Sequence, residues 1–425
     1  MKVLIVGAGA REHALTWKAL QSPLTDAVYC APGNAATGAI AVNTGIEATD
    51  IDGIVRFVSE RDVSLTVIGP EAAVAAGLAD RLAASDRLVF GPTAAAGRIE
   101  SSKAFAKSLM ARAGVATPAY QVFDDPARAK DFVRGERRAF VVKADGLAKG
   151  KGTLVPRDAQ DTLECIDTLM LRKTVGAAAD RIVLEEKVEG REVSLMAMVD
   201  GDRVVALPPA CDYKRALDGD RGPNTGGMGG YSPVSFFGPD EIDRAVAEVL
   251  VPVVKTLRED GTPYRGCLYA GLMVGGSGVQ VLEFNARFGD PEAQVVLPRL
   301  EGDLVPLLEA TARGALGETR ASWSTRSSVG VVLASRGYPG TYQTGFPIDG
   351  LGTIERDVFA FHAGTTAGPA GYETAGGRVL TLVALGGSMG EARDRAYRNV
   401  EKIRFEGMTY RHDLALREVE SAVLQ

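Results

Sequence analysis

The stretch Lys143-Ala-Asp-Gly-Leu-Ala-Lys-Gly-Lys-Gly-Thr153 interleaves three glycines with three lysines about a third of the way along the chain. Glycine lets backbone N–H groups approach a ligand closely, and lysine adds cationic donors. The composition therefore predicts a phosphate-binding loop. Its spacing differs from the common nucleotide loop G-x-x-x-x-G-K-[ST], which connects a strand to a helix.

The residues on either side of this stretch predict a β-hairpin. Residues 139–143 and residues 152–155 are both rich in β-branched and apolar side chains, as strands are. A glycine-rich hairpin tip could cover phosphates as a mobile flap, and residues 146–153 are called the flap below. A solvated turn without a ligand is the simpler alternative.

The composition predicts a multidomain protein whose main partner is neither nucleic acid nor a membrane. The 425 residues are too many for one hydrophobic core, and 46% of them are apolar. The net charge of −6 argues against nucleic acid or an anionic membrane as the main partner. The four cysteines form no C-x-x-C pair, and no apolar segment is long enough for a signal peptide or a bilayer span. We therefore expect a cytoplasmic protein.

Residues 1–100 alternate between strand-like and helix-like segments. Strict alternation predicts a parallel sheet with helices on both faces, and ligands then bind at the carboxyl ends of the strands. The fold class expected here is α/β and doubly wound. The predicted strands are residues 2–6, 26–31, 65–69 and 88–90, and the predicted helices are residues 11–21, 52–60 and 74–84.

Two of these strand ends carry candidate binding residues. Gly7-Ala-Gly-Ala-Arg-Glu12 lacks the third glycine of the dinucleotide fingerprint, although it could still hold a phosphate at a helix N-terminus. Arg11 could add a bidentate contact, and a tight turn that needs glycine is an equally good interpretation. In Gly69-Pro-Glu71, the carboxylate of Glu71 could meet a ligand hydroxyl or amine, or could cap the next helix.

Residues 212–233 form a long glycine-rich segment between regular elements. Such a segment could be a disordered linker, but long ordered loops inside compact domains tend to be functional. We therefore expect an ordered ligand loop. Helices are predicted at residues 101–113 and 240–259, and strands at residues 182–188 and 193–199, with a turn at residues 189–192.

A second predicted hairpin, residues 269–274 and 278–285, ends in polar residues. Glu283 and Asn285 lie two apart and so share one face of a strand, with Arg287 directed to the same side. Carboxylate and amide oxygens are ligands that Mg²⁺ accepts, with further ligands taken from water and phosphate. The pattern predicts a metal site, and a solvent-facing strand edge is the alternative. From about residue 327 short strands recur, with a helix at residues 389–403, which predicts a β-rich C-terminal domain.

These motifs together resemble the ATP-grasp superfamily and, within it, the phosphoribosylamine–glycine ligase (glycinamide ribonucleotide synthetase) family. The resemblance covers essentially the whole chain. The segments that carry it are residues 7–15, 31–34, 69–71, 91–93, 102–105, 143–152, 222–233 and 283–292.

The resemblance implies an ATP-grasp fold in three parts. Residues 1–101 would form an α/β substrate-binding domain, residues 102–326 an ATP-grasp region with a small lid at about residues 118–190, and residues 327–425 the C-terminal domain. It also implies ligation of glycine to 5-phosphoribosylamine in purine biosynthesis, with ADP and phosphate released through a glycyl phosphate. ATP and Mg²⁺ (or Mn²⁺) would be required. The partners would be small molecules, and a monomer is expected.

The resemblance also assigns residues. Catalytic roles fall on Lys143 and Arg287, and metal binding falls on Glu283 and Asn285. The ATP contacts would be Lys103, Lys143, Gly146, Lys149, Gly150, Lys151, Gly152, Thr153, Glu185, Glu186, Val188 and Glu192. The substrate contacts would be Gly9, Arg11, Glu12, Gly69, Glu71, Asp212, Lys214, Asn224, Gly227 and Arg287.

The sequence departs from the family pattern at a few positions. Ala8 and Ala10 stand where Asn and Gly are frequent, which narrows the backbone angles available to the first loop. Tyr213 stands where His is frequent, and Lys149 replaces a small residue at the flap tip, where solvation is the simpler interpretation.

Three rival functions remain compatible with individual motifs. One is another ATP-grasp carboxylate–amine ligase, which the motifs alone do not distinguish. Another is a nicotinamide-dependent oxidoreductase, against which the incomplete fingerprint and the second nucleotide loop argue. The third is a non-catalytic nucleotide-binding module, which would not need Glu283, Asn285 and Arg287.

Overall fold

The computed structural model describes residues 1–148, 150–276, 278–317, 321–369 and 371–423. Lys149, which the sequence assigns to the flap tip, lies outside the described residues. Strands and helices are numbered along the chain in the paragraphs below.

The N-terminal region is a five-stranded parallel sheet in the order β3-β2-β1-β4-β5, which confirms the predicted α/β fold. Its strands are β1 (Lys2–Gly7), β2 (Ala27–Pro32), β3 (Val42–Asn43), β4 (Leu65–Ile68) and β5 (Val89–Phe90). Its helices are α1 (Ala10–Ala19), α2 (Thr37–Ile40), α3 (Ile51–Arg61), α4 (Glu71–Ala75), α5 (Leu78–Ala84) and α6 (Ala94–Ser101).

Strand β1 shows why this sheet is covered on both faces. Val3 and Ile5 belong to the core that contains Leu15 of α1. Leu4 and Val6, one residue out of phase, belong to the core that contains α3, α4 and α5. The helix predicted at residues 74–84 is instead two helices, because Gly77 has a φ of +80° that a continuous helix does not allow.

The lid is a four-stranded sheet in the order β6-β9-β7-β8. Strands β7 and β8 are antiparallel, with Lys143 opposite Thr153, which confirms the predicted hairpin around the flap. The elements from the preceding helix through the lid are α7 (Lys103–Ala113), β6 (Tyr120–Phe123), α8 (Pro126–Glu136), β7 (Phe140–Ala144), β8 (Thr153–Leu154), α9 (Ala159–Ile166) and β9 (Ile182–Glu186).

The central sheet has the order β11-β10-β16-β17, and its two longest strands are buried on both faces. The predicted hairpin at residues 269–285 is confirmed as an antiparallel pair. Its elements and the surrounding helices are β10 (Arg191–Asp200), β11 (Val204–Ala206), α10 (Pro239–Ala245), α11 (Val251–Glu259), β16 (Arg265–Gly275), β17 (Gly278–Asn285), α12 (Glu292–Val296) and α13 (Leu304–Arg313).

The C-terminal sheet joins two distant parts of the chain. It contains β12 (Cys211–Asp212), β15 (Gly229–Ser232), β18 (Ser327–Ser335), β20 (Val358–His362), β23 (Arg378–Gly386) and β24 (Met408–Thr409). The first two strands come from the glycine-rich segment, so the sheet crosses the boundary expected near residue 327. The remaining elements are β13 (Arg215–Leu217), β14 (Arg221–Asn224), β19 (Pro347–Ile348), β21 (Thr365–Gly368), β22 (Gly371–Thr374), α14 (Met389–Val400) and α15 (Leu416–Val423).

Short π-helical or 3-10 turns connect several elements: Asp167–Leu171, Gly176–Ala179, Val246–Leu250, Leu297–Arg299 and Leu351–Thr353. The helix predicted at residues 240–259 is confirmed as a continuous helical segment, in which the π-helical residues Val246–Leu250 connect α10 to α11. Of the helices in the described residues, none has the length and apolarity needed to cross a bilayer.

Candidate active site

One cleft of about 940 Å³ brings most of the sequence-predicted residues together. The N-terminal sheet, the lid, the central sheet and the C-terminal sheet all contribute to its walls. The predicted residues that line it are Gly9, Arg11, Glu12, Glu71, Lys103, Lys143, Gly150, Gly152, Thr153, Glu185, Glu186, Val188, Glu192, Asp212, Lys214, Asn224, Glu283, Asn285 and Arg287. Gly69, Gly146, Lys151 and Gly227 lie outside its lining.

The three glycines outside the lining shape the backbone behind it. A Cβ atom on Gly69 would lie 2.1 Å from Oε1 of Glu12, and Gly227 has a φ of +108° that L side chains rarely adopt. The Gly146 N–H donates to the carbonyl of Ala178 at 2.9 Å, so it is already bonded at the base of the flap. These glycines are explained by close backbone packing without a ligand contact.

Lys143 lies at the base of the flap, between the lid and the central sheet. Its ammonium donates to the Leu282 carbonyl at 2.9 Å and pairs with the carboxylate of Glu185. Glu185 also pairs with Lys107, a residue that the sequence analysis did not assign. Burial lowers the pKa of Lys107 to about 8, although Glu185 opposes the shift. The four-residue spacing between Lys103 and Lys107 on α7 was the available signal for this second lysine.

Glu283 and Asn285 face the cleft from β17, as the alternation along the strand predicts. Lys214 lies 3.6 Å from Oε1 of Glu283 and 3.1 Å from Oε2 of Glu192. Burial would raise the pKa of Glu283, but Lys214 and Lys143 outweigh it and lower the pKa to about 2. Glu283 is therefore ionised at neutral pH, which is the state in which a carboxylate binds a metal.

Arg287 connects the end of β17 to the N-terminal region. Its guanidinium is 3.1 Å from Glu71 and 3.0 Å from Glu100, and it donates to Oδ1 of Asn285 at 3.3 Å. Another nitrogen donates to the Phe288 carbonyl at 3.1 Å. Arg287 thus orients both the amide of Asn285 and the carboxylate of Glu71.

The same arginine determines the charge on Glu71. Burial opposes ionisation of Glu71, but Arg287 and Arg11 outweigh it and lower its pKa to about 2. Of the two roles considered for Glu71, capping of α4 is not observed, because Pro70 is the N-cap residue and no side chain caps the helix.

Asp212 differs in its pKa from Glu71 and Glu283 in the same cleft. Burial raises its pKa to about 8, with nearby Glu292 and Glu192 adding to the shift and Lys214 opposing it. At neutral pH in the free protein this group is therefore mostly the neutral acid. A cationic ligand beside it would favour the carboxylate, since an adjacent positive charge stabilises the ionised form.

Three further residues that were expected to contact ATP, Glu186, Val188 and Glu192, belong to the same cleft. Glu186 and Val188 line it, and the Glu186 N–H already donates to the Ala119 carbonyl at 2.8 Å. Glu192 lies on β10, which begins at Arg191, so the turn predicted at residues 189–192 is two residues shorter than expected. The strand fixes Glu192 beside Lys214.

The first glycine-rich loop, residues 7–12, is filled by its own carboxylate. Glu12 accepts the Gly9 N–H at 2.7 Å and the Arg11 Nε–H at 2.6 Å. Both side chains are buried, and Arg11 also donates to the Phe288 carbonyl at 3.1 Å. A carboxylate at the N-terminus of α1 takes the position where a dinucleotide phosphate would bind, which argues against the nicotinamide alternative.

The glycine-rich segment 212–233 is ordered, and it carries the hairpin β13–β14 and the strand β15. Asn224 at its cleft side donates to the Thr153 carbonyl of the flap at 3.0 Å. The expectation of an ordered loop is confirmed, and the loop touches the flap directly.

Three residues of the C-terminal region line the cleft and were not assigned from the sequence: Tyr338, Arg378 and Arg417. Arg378 and Tyr338 line it, and both bond to the backbone of Gly226. No local pattern marks them, because Arg378 begins an ordinary strand and Tyr338 stands in a Gly-Tyr-Pro-Gly turn.

The parallel N-terminal sheet, the antiparallel lid with its flap and the central sheet around one lysine-rich cleft define an ATP-grasp fold. The similarity of the chain to the biotin carboxylase domain of the Hydrogenobacter thermophilus 2-oxoglutarate carboxylase supports this class. That structure, determined with MgADP, aligns with a TM-score of 0.70 over 96% of this chain and 91% of its own, at 16% identity.

The chain belongs to the phosphoribosylglycinamide synthetase family. Family models for its N domain, ATP-grasp (A) domain and C domain match residues 1–100, 101–293 and 328–417. The chain is 42% identical to the phosphoribosylamine–glycine ligase of Halalkalibacterium halodurans over 99% of this chain and 97% of that protein. It is 44% identical to that of Neisseria meningitidis over 98% and 99%.

A solved member of the family aligns over the full length. The crystal structure of the Thermotoga maritima phosphoribosylamine–glycine ligase has a TM-score of 0.85 and 34% identity, over 98% of this chain and 100% of its own. The resemblance inferred from the motifs is therefore confirmed for the family and for the fold.

Proposed function

We propose that this protein ligates glycine to 5-phosphoribosylamine with ATP, giving glycinamide ribonucleotide, ADP and phosphate in de novo purine (IMP) biosynthesis. The relatives named phosphoribosylamine–glycine ligase match over nearly their whole length and support this activity. The observation that carries the proposal is the cleft itself, where a lysine cluster at the flap base lies beside an ionised Glu283 and Asn285.

The chemistry follows in two steps. A glycine carboxylate oxygen attacks the γ-phosphorus, ADP leaves, and a glycyl phosphate forms. The nitrogen of phosphoribosylamine then attacks the acyl carbon, phosphate leaves, and the nitrogen loses a proton. The first step needs positive charge and in-line positioning more than covalent help from the protein.

The charges of the cleft suit these steps. Lys143 and Lys103 would neutralise the phosphates, with Lys143 fixed on the rigid strand β7 while Lys151 moves with the flap. Arg287 supplies positive charge at the reacting end, where it also orients Asn285 and Glu71. Asp212, with its pKa of about 8, would become the carboxylate beside the ammonium group of glycine.

A divalent ion fits the donor atoms of Glu283 and Asn285. Within the described residues, no group of three or more His, Cys, Asp and Glu side chains is arranged to hold a metal. The remaining ligands would be phosphate oxygens and water, as is usual for Mg²⁺ beside a nucleotide. Such an ion, Mg²⁺ or Mn²⁺, would neutralise phosphate charge.

The metal assignment has a direct test. Glu283→Gln should weaken Mn²⁺ binding, measured by electron paramagnetic resonance in the presence of ADP, by about tenfold or more. Glu189→Gln, in the turn before β10 and outside the cleft lining, is the matched control. Equal Mn²⁺ affinity of the two variants would remove Glu283 from the metal site.

Several broader features belong to the same proposal. We place the domains at residues 1–101, 102–326 and 327–425, with the lid at about residues 118–190. We also place the protein in the cytoplasm as a monomer that works on small molecules, without nucleic-acid or membrane partners. The scattered cysteines and the mild net charge support this placement.

The reaction is tested by an ADP assay in which glycine, phosphoribosylamine and the divalent ion are omitted in turn. ADP should form at the full rate only in the complete mixture, in an amount equal to the glycinamide ribonucleotide. ADP release that does not depend on the amine, or hydride transfer to a nicotinamide, would overturn the proposed reaction.

A further inference from the structure

Two side chains of the C-terminal region bond the backbone N–H and the carbonyl of Gly226, in the glycine-rich segment 212–233. The hydroxyl of Tyr338 accepts the Gly226 N–H at 2.9 Å. Nη1 of Arg378 donates to the Gly226 carbonyl at 2.6 Å. Residues 224–227 are called the docking loop below, and their backbone is thus fixed by side chains more than a hundred residues away in the chain.

Arg378 also connects the docking loop to the residues that follow β17. The same Nη1 donates to the Asp290 carbonyl at 3.0 Å and lies 3.2 Å from its carboxylate. Asp290 follows Arg287 closely in the chain, and its Oδ1 is held by the Nε2 of Gln294 at 2.6 Å. One guanidinium nitrogen therefore sets the spacing between the docking loop and the residues after β17.

Two glycines leave the space that these side chains need. A Cβ on Gly226 would lie 3.0 Å from Cζ of Arg378 and 3.2 Å from the oxygen of Tyr338. A Cβ on Gly377 would lie 2.3 Å from the ring of Tyr338. Glycine at both positions therefore allows Tyr338 and Arg378 to approach the loop closely, and any larger residue at Gly226 or Gly377 would meet them. This makes the contact more specific than a surface hydrogen bond.

The docking loop is in turn the surface that the flap touches. Asn224 donates to the Thr153 carbonyl at 3.0 Å. A Cβ on Gly150 would lie 3.1 Å from the Thr225 carbonyl oxygen, so the flap backbone lies directly on the loop. The contacts run from the flap through the docking loop to Tyr338 and Arg378.

We propose that Arg378 and Tyr338 are positioning residues of the ligase reaction, which hold the docking loop as the surface on which the flap closes. This inference rests on the proposed function. A closed flap keeps water from the acyl phosphate until the amine attacks. When the docking loop is loose, water attacks the acyl carbon instead, glycine and phosphate are released, and ATP is consumed without product.

The first test is the ratio of ADP to glycinamide ribonucleotide in Arg378→Met and Tyr338→Phe. Both variants should form ADP in excess of product, by about twofold or more, while the wild type forms equal amounts. Arg393→Met is the matched control, because Arg393 also donates to two backbone carbonyls of the C-terminal region, at 3.0 and 2.7 Å, but does not line the cleft. A lower kcat with equal ADP and product in both variants would overturn the proposal.

The second test does not depend on activity. Hydrogen exchange of the free protein should accelerate at residues 224–228 and 144–153 in Tyr338→Phe, which removes one oxygen only, and remain unchanged in Arg393→Met. Unchanged exchange at these segments in Tyr338→Phe would overturn the proposal. A wild type that makes no product would contradict the proposed function, whereas the exchange result would still decide whether Tyr338 holds the docking loop.

Discussion

The molecule contains two glycine-rich loops of similar composition but different construction. Residues 7–12 and the flap each follow a strand and combine glycine with a basic side chain. In the first loop, Glu12 supplies the negative charge and accepts the N–H groups of Gly9 and Arg11. The flap has no acidic residue, and its Lys151 is exposed. Glycine content indicates where the backbone can turn tightly in both loops, whereas only the first loop has a carboxylate of its own to bond its N–H groups.

Substitution of the lysine at the base of the flap should give the largest effect. Lys143→Ala should lower kcat by about two to four orders of magnitude if the ammonium acts as a preorganised donor to the phosphates. Lys151→Ala should change kcat little, because this lysine is exposed and does not belong to a strand. Steady-state ADP assays measure both, and an unchanged kcat in Lys143→Ala would remove this residue from the mechanism.

Substitution of the internal carboxylate of the first loop should affect stability. Glu12→Ala leaves the buried Arg11 and the Gly9 N–H without their acceptor, and removal of one partner of a buried ion pair costs about 3–5 kcal/mol. Denaturant unfolding measures the loss. A variant as stable as the wild type would show that the carboxylate of Glu12 is not needed to stabilise this loop. The proposed difference between the first loop and the flap would then be wrong.

Acid should lower the free energy of unfolding through His13, which lies on the helix that follows the first loop. Burial lowers the pKa of His13, on α1, to about 4 from an unfolded value near 6.5. As pH falls from about 6.5 to about 4, the unfolded chain binds a proton that the folded protein does not, so this histidine removes stability over that window. The loss is of the order of 2–3 kcal/mol at pH 4.

The contribution of His13 is measured by comparison with a variant. His13→Gln should show a shallower fall in unfolding free energy between pH 6.5 and pH 4 than the wild type, with urea midpoints taken at each pH. The substitution keeps an acceptor near the His362 N–H, which bonds to Nδ1 of His13 at 2.9 Å. Parallel pH profiles for the two proteins would contradict the assignment.

Alanine substitutions of one glycine from each loop should give the smallest effects. They should also distinguish the two loops, because one substitution should change ATP binding and the other should change stability. Gly150 has a φ of +77° and faces the docking loop, so Gly150→Ala should raise the KM for ATP a few-fold, with strain of about 1 kcal/mol. A Cβ on Gly7 would lie 2.6 Å from Cδ of Glu12, so Gly7→Ala should lower the melting temperature instead. Thermal unfolding and ATP titration are measured for both variants. If Gly150→Ala and Gly7→Ala change the melting temperature and the KM for ATP equally, the two loops do not differ in the way described.

Much of the site could be predicted because its residues lie on regular elements. The two-residue period of β17 places Glu283 and Asn285 together, and the flanking strands identify the flap as a hairpin tip. Lys107, Glu100, Arg378 and Tyr338 were missed, because their roles come from partners far away in the chain. Lys107 pairs with Glu185 and Glu100 with Arg287, and no local periodicity encodes either pair.

The sequence by itself determined the parallel N-terminal sheet, the flap hairpin and the strand that carries Glu283 and Asn285, because hydrophobic period and glycine conformational freedom act over a few neighbouring residues. Only the tertiary structure decided that Glu12 fills the first loop and that β12 and β15 join the C-terminal sheet. It also decided that Arg378 and Tyr338 hold Gly226 beneath the flap. These contacts join segments that are far apart in the chain. Which segments pair is decided by sheet formation and by the burial of charged groups in the folded protein, and no local pattern encodes it.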